Sequence, residues 1–201
     1  MSATTDTKPS PAVLTSPRPA VTAKTFFIWA GLCVLGIPLA GYLGNIVAGP
    51  VDGVTPALLA GALTGAGIGL AQWVMLRRSL GVGPGWIAAT SVGLAVGLAV
   101  GAGAVGYETG RPQLAIMGAI SGAFVGIAQG SLLRHRFSLW HVWIVLHPPA
   151  WALGWFVSSY VISRNIDERF PVFGASGAVV FAILSGLLLA AGMRGGKSAA
   201  S

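Results

Sequence analysis

The sequence predicts an all-α protein: a six-helix transmembrane bundle built of three tandem helical hairpins. Three observations predict it. The 201 residues are 54% hydrophobic and only 8% charged, where a soluble domain carries about 25% charged residues. Six apolar segments follow one another, each near the roughly 20 residues that span hydrocarbon. A pattern of glycine, glutamine and arginine then returns at a period of 57 residues (118 − 61). Barrel strands would alternate over about ten residues, and these segments do not.

Residues 1–24 are rich in Ser, Thr and Pro, with Lys8, Arg18 and Lys24. They hold too little apolar area to fold alone and predict a disordered cytoplasmic tail. They do not read as a signal peptide, because the apolar stretch starts late and runs too long. The transmembrane domain is expected over 25–194, with segments near 26–48, 57–76, 85–107, 113–133, 139–162 and 173–193. These pair into hairpins 26–78, 85–135 and 139–194, and 195–201 form a second cytoplasmic tail. Turn formers fill the connections: Gly49-Pro50 with Asp52-Gly53, Gly81 to Gly85 around Pro84, and Gly110-Arg111-Pro112. Connections this short place neighbouring helices antiparallel.

Basic residues set the orientation. One side holds Lys8, Arg18, Lys24, Arg77, Arg78, Arg134, Arg136, Arg194 and Lys197. The other holds Arg111, Arg164 and Arg169, beside Asp52, Glu108, Asp167 and Glu168. Nine against three puts both termini in the cytoplasm. Arg77, Arg78, Arg134, Arg136 and Arg194 are the expected cytoplasmic anchors. The net charge of +7 is explained by this topology, so nucleic acid is not an expected partner.

The repeat is legible in detail. Positions 61–78 and 118–135 share nine identities in eighteen without a gap, among them Gln72 with Gln129 and Arg77 with Arg134. Trp29, Trp86 and Trp143 are spaced by the same 57 residues (86 − 29, 143 − 86). The last segment joins the pattern if three residues are inserted before it. Arg194 then matches Arg134, Gly186 matches Gly126, and Leu189 stands where glutamine is expected. Each hairpin starts and ends in the cytoplasm, so a pseudo-threefold axis along the membrane normal is expected. Parallel repeats occur in transporters, but plain duplication of a scaffold also yields them.

Within the helices, small residues recur every fourth position: Gly61, Gly65 and Gly69; Gly93, Gly97 and Gly101; Gly118, Gly122 and Gly126. That spacing lines them along one face, where they let helix backbones approach. Polar residues in the spans are few, and burying them is expensive. Gln72 and Gln129 lie five residues before Arg77 and Arg134. Cys33, Thr90 and His147 each lie four residues after a repeated tryptophan. Together they predict a polar layer in the cytoplasmic third, used first of all for interhelical hydrogen bonds. His147 departs from its counterparts. Pro148 and Pro149 follow it, remove backbone donors and favour a kink, and Trp143, Trp151 and Trp155 surround it. It is the candidate to line a small cleft, to titrate, or to ligate a metal or a pigment's central metal. A lone histidine lacks the further ligands of a protein zinc site, so no metal is predicted and no cofactor is required.

No Gly-Lys-Ser/Thr phosphate loop follows the glycines, and the four carboxylates outside the N-terminal tail fall in outward loops. The lone Cys33 cannot form an internal disulfide.

The motif G-x-x-x-G-x-x-x-G-x-x-Q-W-x-x-L-R is intact at 61–77 and repeats at 118–134 with Gly130 in place of the Trp. It resembles that of small multi-pass bacterial membrane proteins of unassigned function. The resemblance implies a six-helix bundle in the bacterial cytoplasmic membrane and supplies no activity. The expected role is therefore a non-enzymatic integral membrane protein, an accessory or structural subunit packed with other membrane subunits and lipid. Two alternatives stand beside it. One is a small transporter or substrate-binding subunit for a small or lipophilic solute. The other is a pigment- or cofactor-binding membrane protein using His147.

Overall fold

The computed structural model describes the backbone of residues 23–161 and 166–195 and the side chains of 24–160 and 176–193. Residues 1–22 of the expected tail 1–24, residues 196–201 of the expected tail 195–201, the Arg194 anchor and the charges at Arg164, Asp167, Glu168 and Arg169 lie outside the described side chains. Every described element is helical: α1 (Ala23–Ala48), α2 (Val54–Ser79), α3 (Gly85–Ala104), α4 (Arg111–Leu133), α5 (Trp140–Val161) and α6 (Ile166–Gly195).

Helices start and stop where backbone chemistry dictates rather than where apolar residues do. α1 begins at Ala23, so Lys24 belongs to the helix and not to the tail. α2 runs into its arginines and stops at Leu80, whose N–H bonds the Leu76 carbonyl at 2.9 Å. Gly81 then takes the left-handed φ of +64° that ends the helix. α3 stops at Ala104, three residues earlier than its apolar run implies, because Gly106 and Tyr107 both turn left-handed. The Tyr107 N–H returns to the Ala102 carbonyl at 2.8 Å. α6 starts seven residues before the apolar stretch expected at 173 (173 − 166). Pro148 and Pro149 lie inside a single continuous helix α5, and Pro38 inside α1.

Each helix packs against its neighbours in sequence, and α6 returns to α1. Among the described residues the result is a closed ring of six helices, in which backbones approach closely between ring neighbours and across the ring only side chains meet. Contacts at the two ends agree with antiparallel order. At one end Arg136 Nη1 donates to the Gly81 carbonyl at 2.6 Å, and Ser138 Oγ donates to the Gly192 carbonyl at 3.3 Å. Arg77 stacks over Trp73 there, 4.7 Å from the ring centre. At the opposite end Arg111 lies 4.3 Å over the Tyr160 ring.

The ring is tight because small residues sit at its seams. A Cβ at Gly61 would stand 2.6 Å from Ala95 Cα, and one at Gly65 2.6 Å from the Thr90 carbonyl. The Cβ of a residue at Gly97 would come within 2.8 Å of Ser121 Cα, and at Gly122 within 2.6 Å of the His147 carbonyl. Gly61, Gly65 and Gly69 of α2 thus face α3, Gly93, Gly97 and Gly101 of α3 face α4, and Gly118, Gly122 and Gly126 of α4 face α5. Large apolar side chains point outward on every described helix, including Leu35, Leu59, Val92, Ile127, Val145 and Leu187. Five helices are long and apolar enough to cross a membrane. α5 is not among them, because tryptophan, histidine and proline occupy positions that aliphatic residues hold elsewhere.

Candidate functional site

Cys33, Gln72, Thr90, Gln129 and His147 are all buried in the bundle, toward the end that carries Arg77 and Arg136. The repeated tryptophans meet there, each fully buried. Trp143 contacts Trp29 and Trp86 edge-on, at centroid distances of 6.3 and 6.1 Å. Each tryptophan sits on an odd-numbered helix and directs its indole N–H to the even-numbered helix before it in the ring. Trp86 Nε1 donates to Gln72 Oε1 at 3.1 Å, and Trp143 Nε1 donates to Gln129 Oε1 at 3.1 Å. Trp29 Nε1 donates to Ser185 Oγ at 3.0 Å.

The glutamines join these pairs into one network. Gln129 Nε2 donates to Gln72 Oε1 at 2.9 Å and to Thr90 Oγ1 at 2.8 Å. Thr90 Oγ1 in turn donates to the Trp86 carbonyl at 2.8 Å. The Gln72 side chain also hydrogen-bonds Cys33. Two carboxamides thereby tie α1, α2, α3, α4 and α5 together. Such bonds between spans are worth about 0.6 kcal/mol each on average and at most about 1.7.

Cys33, Gln72, Thr90 and Gln129 therefore belong to one hydrogen-bonded cluster. His147 is equally buried but stands apart. Its ring packs on Trp143 at 4.7 Å and on Phe181 at 5.3 Å between centroids. Its Nδ1 lies 2.7 Å from the Trp143 carbonyl of its own helix. A carbonyl only accepts, so Nδ1 carries the proton and Nε2 presents a lone pair. Nε2 has no hydrogen-bond partner among the described residues, and neither do Ser121 Oγ and Trp151 Nε1.

The arrangement has a sequence logic. The partner of Cys33 is Gln72, and the partner of Thr90 is Gln129, in each case 39 residues on (72 − 33, 129 − 90). With the three-residue insertion, the matching position for His147 is Leu189 (189 − 147 = 42). Leucine offers no donor. The same leucine would leave Trp29 without an acceptor, and Ser185, one helical turn earlier, supplies it.

Sequence reasoning overlooked Ser185, Ser121 and the indole nitrogens. A Trp spaced like Gln signals a donor for each carboxamide, and Leu189 signals that an acceptor must be sought one turn away. Among the described residues no group of three or more His, Cys, Asp or Glu side chains could hold a metal ion. No protein family, characterised protein or solved structure matches the chain.

Proposed function

We propose that the chain is a six-span integral protein of the bacterial cytoplasmic membrane, three hairpins about a pseudo-threefold axis along the membrane normal. We further propose that it works as a non-enzymatic accessory or structural subunit, packed against other integral membrane subunits and lipid. The observation that carries this reading is the inversion of surface chemistry. Polar side chains turn inward and bond one another, while large apolar side chains are exposed on every described helix. In water, so large an apolar surface would aggregate or seek a partner. In lipid it is the ordinary outer face.

The interior supports a structural role more than a conduit, because three tryptophans fill it at the arginine-bearing end. Arg77, Arg78, Arg134 and Arg136 would anchor that end in the cytoplasm, which puts both termini there. Extraction in mild detergent, tagged purification and mass spectrometry test the role. Other integral membrane subunits should co-purify at fixed stoichiometry. Recovery as a lone monomer would overturn the subunit reading, and a periplasmic reporter signal from a C-terminal fusion would overturn the orientation.

A further inference from the structure

We infer that Ser121, His147 and Trp151 form a binding site for a single hydroxyl group, borne by a small neutral molecule enclosed among α3, α4, α5 and α6. The three side chains are at least nine-tenths buried, at 0%, 1% and 7% exposure, yet Ser121 Oγ, His147 Nε2 and Trp151 Nε1 have no partner among the described residues. A buried polar atom without a partner costs about 1–3 kcal/mol, so three in one neighbourhood make a strong demand for a ligand.

They do share a neighbourhood. His147 and Trp151 are one turn apart on α5, and both rings pack on Phe181 of α6, at 5.3 and 6.1 Å. Ser121 lies at their level of the bundle: the next residue, Gly122, abuts them, since a Cβ there would lie 2.6 Å from the His147 carbonyl and 2.8 Å from Trp151 Cβ, while the Ser121 backbone itself meets Gly97 of α3.

The donor set defines the ligand chemistry. His147 Nε2 is an acceptor, because Nδ1 donates to the Trp143 carbonyl. Trp151 Nε1 is a donor, and Ser121 Oγ is either. A hydroxyl supplies what they need, a proton for Nε2 and lone pairs for the indole. No Asp, Glu, Lys or Arg is among the buried described residues, which excludes ions, and the surrounding rings of Trp143, Trp151 and Phe181 suit an apolar body. The hydroxyl stands where Gln129 stands for Thr90, filling the place that Leu189 leaves without a donor. Its source is either an enclosed water or a small lipophilic alcohol or phenol.

The test is 15N NMR of the full chain labelled at histidine, in mild detergent, with His147 assigned by its loss in His147→Phe. The expected result is an Nε2 resonance of a hydrogen-bonded acceptor. If mass spectrometry finds one hydroxylated organic molecule per chain, that is the source. If none is found and the signal exchanges magnetisation with solvent protons, the source is water, and added phenol should displace it. Ser121→Ala and Trp151→Phe should each weaken phenol binding about tenfold, the equivalent of one hydrogen bond of about 1.4 kcal/mol. Leu189→Gln should make Nε2 insensitive to phenol. An Nε2 that stays an unbonded acceptor in every preparation, phenol included, overturns the inference, as does a proton resident on Nε2. Neither result bears on whether the chain is a subunit of a larger complex.

Discussion

The two sides of the ring use the same tryptophans and meet different partners. Where α2, α3 and α4 adjoin, Gln72 and Gln129 satisfy each other, Thr90, Trp86, Trp143 and Cys33 in one closed cluster. Where α5, α6 and α1 adjoin, Leu189 replaces the carboxamide. Among the described residues Trp29 there finds a serine hydroxyl, and His147 bonds its own helix. One residue type decides the difference. A carboxamide both donates and accepts, so it can serve an indole and a hydroxyl at once; a leucine serves neither. The satisfied side reads as scaffold, and the other is where a ligand has something to recognise.

The comparison can be broken most severely through what the two sides share. Gly65→Leu and Gly122→Leu each force a side chain into a neighbouring backbone. Both should destabilise at or beyond the upper end of about 1–3 kcal/mol, read as thermal unfolding followed by tryptophan fluorescence. Gly31→Leu is the control, since a Cβ there meets nothing within 4 Å. Equal stability of all three variants would remove close backbone approach as the basis of the ring.

Gln129→Leu comes next. It deletes three hydrogen bonds, so a loss of about 2–5 kcal/mol follows at about 0.6–1.7 kcal/mol per bond. Ser185→Ala deletes the acceptor of the Trp29 indole, with an expected loss of about 0.6–1.7 kcal/mol on the same scale. The smallest effect is expected at His147→Leu, below about 1 kcal/mol, because its one bond among the described residues lies within α5. A His147→Leu loss equal to that of Gln129→Leu would erase the distinction between the two sides.

Much of the architecture was legible in the sequence. Long apolar runs set off by Gly, Pro and Asp leave a chain little choice but helices joined by short turns. Burial of Cys33, Gln72, Thr90, Gln129 and His147 followed from one register, each a fixed number of residues from a tryptophan or an arginine. What stayed hidden depended on rotation about helix axes. Spacing along the chain places Trp86 and Gln72 at one depth but does not say that the indole points at the carboxamide. Ser185 and Ser121 escaped notice because serine in a small-residue stripe looks like a spacer. Helix ends were misjudged where backbone geometry overrode composition, as at Gly106 and Tyr107, which stop α3 inside its apolar run.

The most direct measurement compares the unfolding stability of Gln129→Leu and Leu189→Gln with that of the parent chain in one detergent. If the residue at this register decides whether each side is paired, the two substitutions act with opposite sign. Gln129→Leu lowers the midpoint, and Leu189→Gln raises it by giving His147 a donor and Trp29 a second acceptor. A Leu189→Gln variant that loses as much stability as Gln129→Leu would contradict the account.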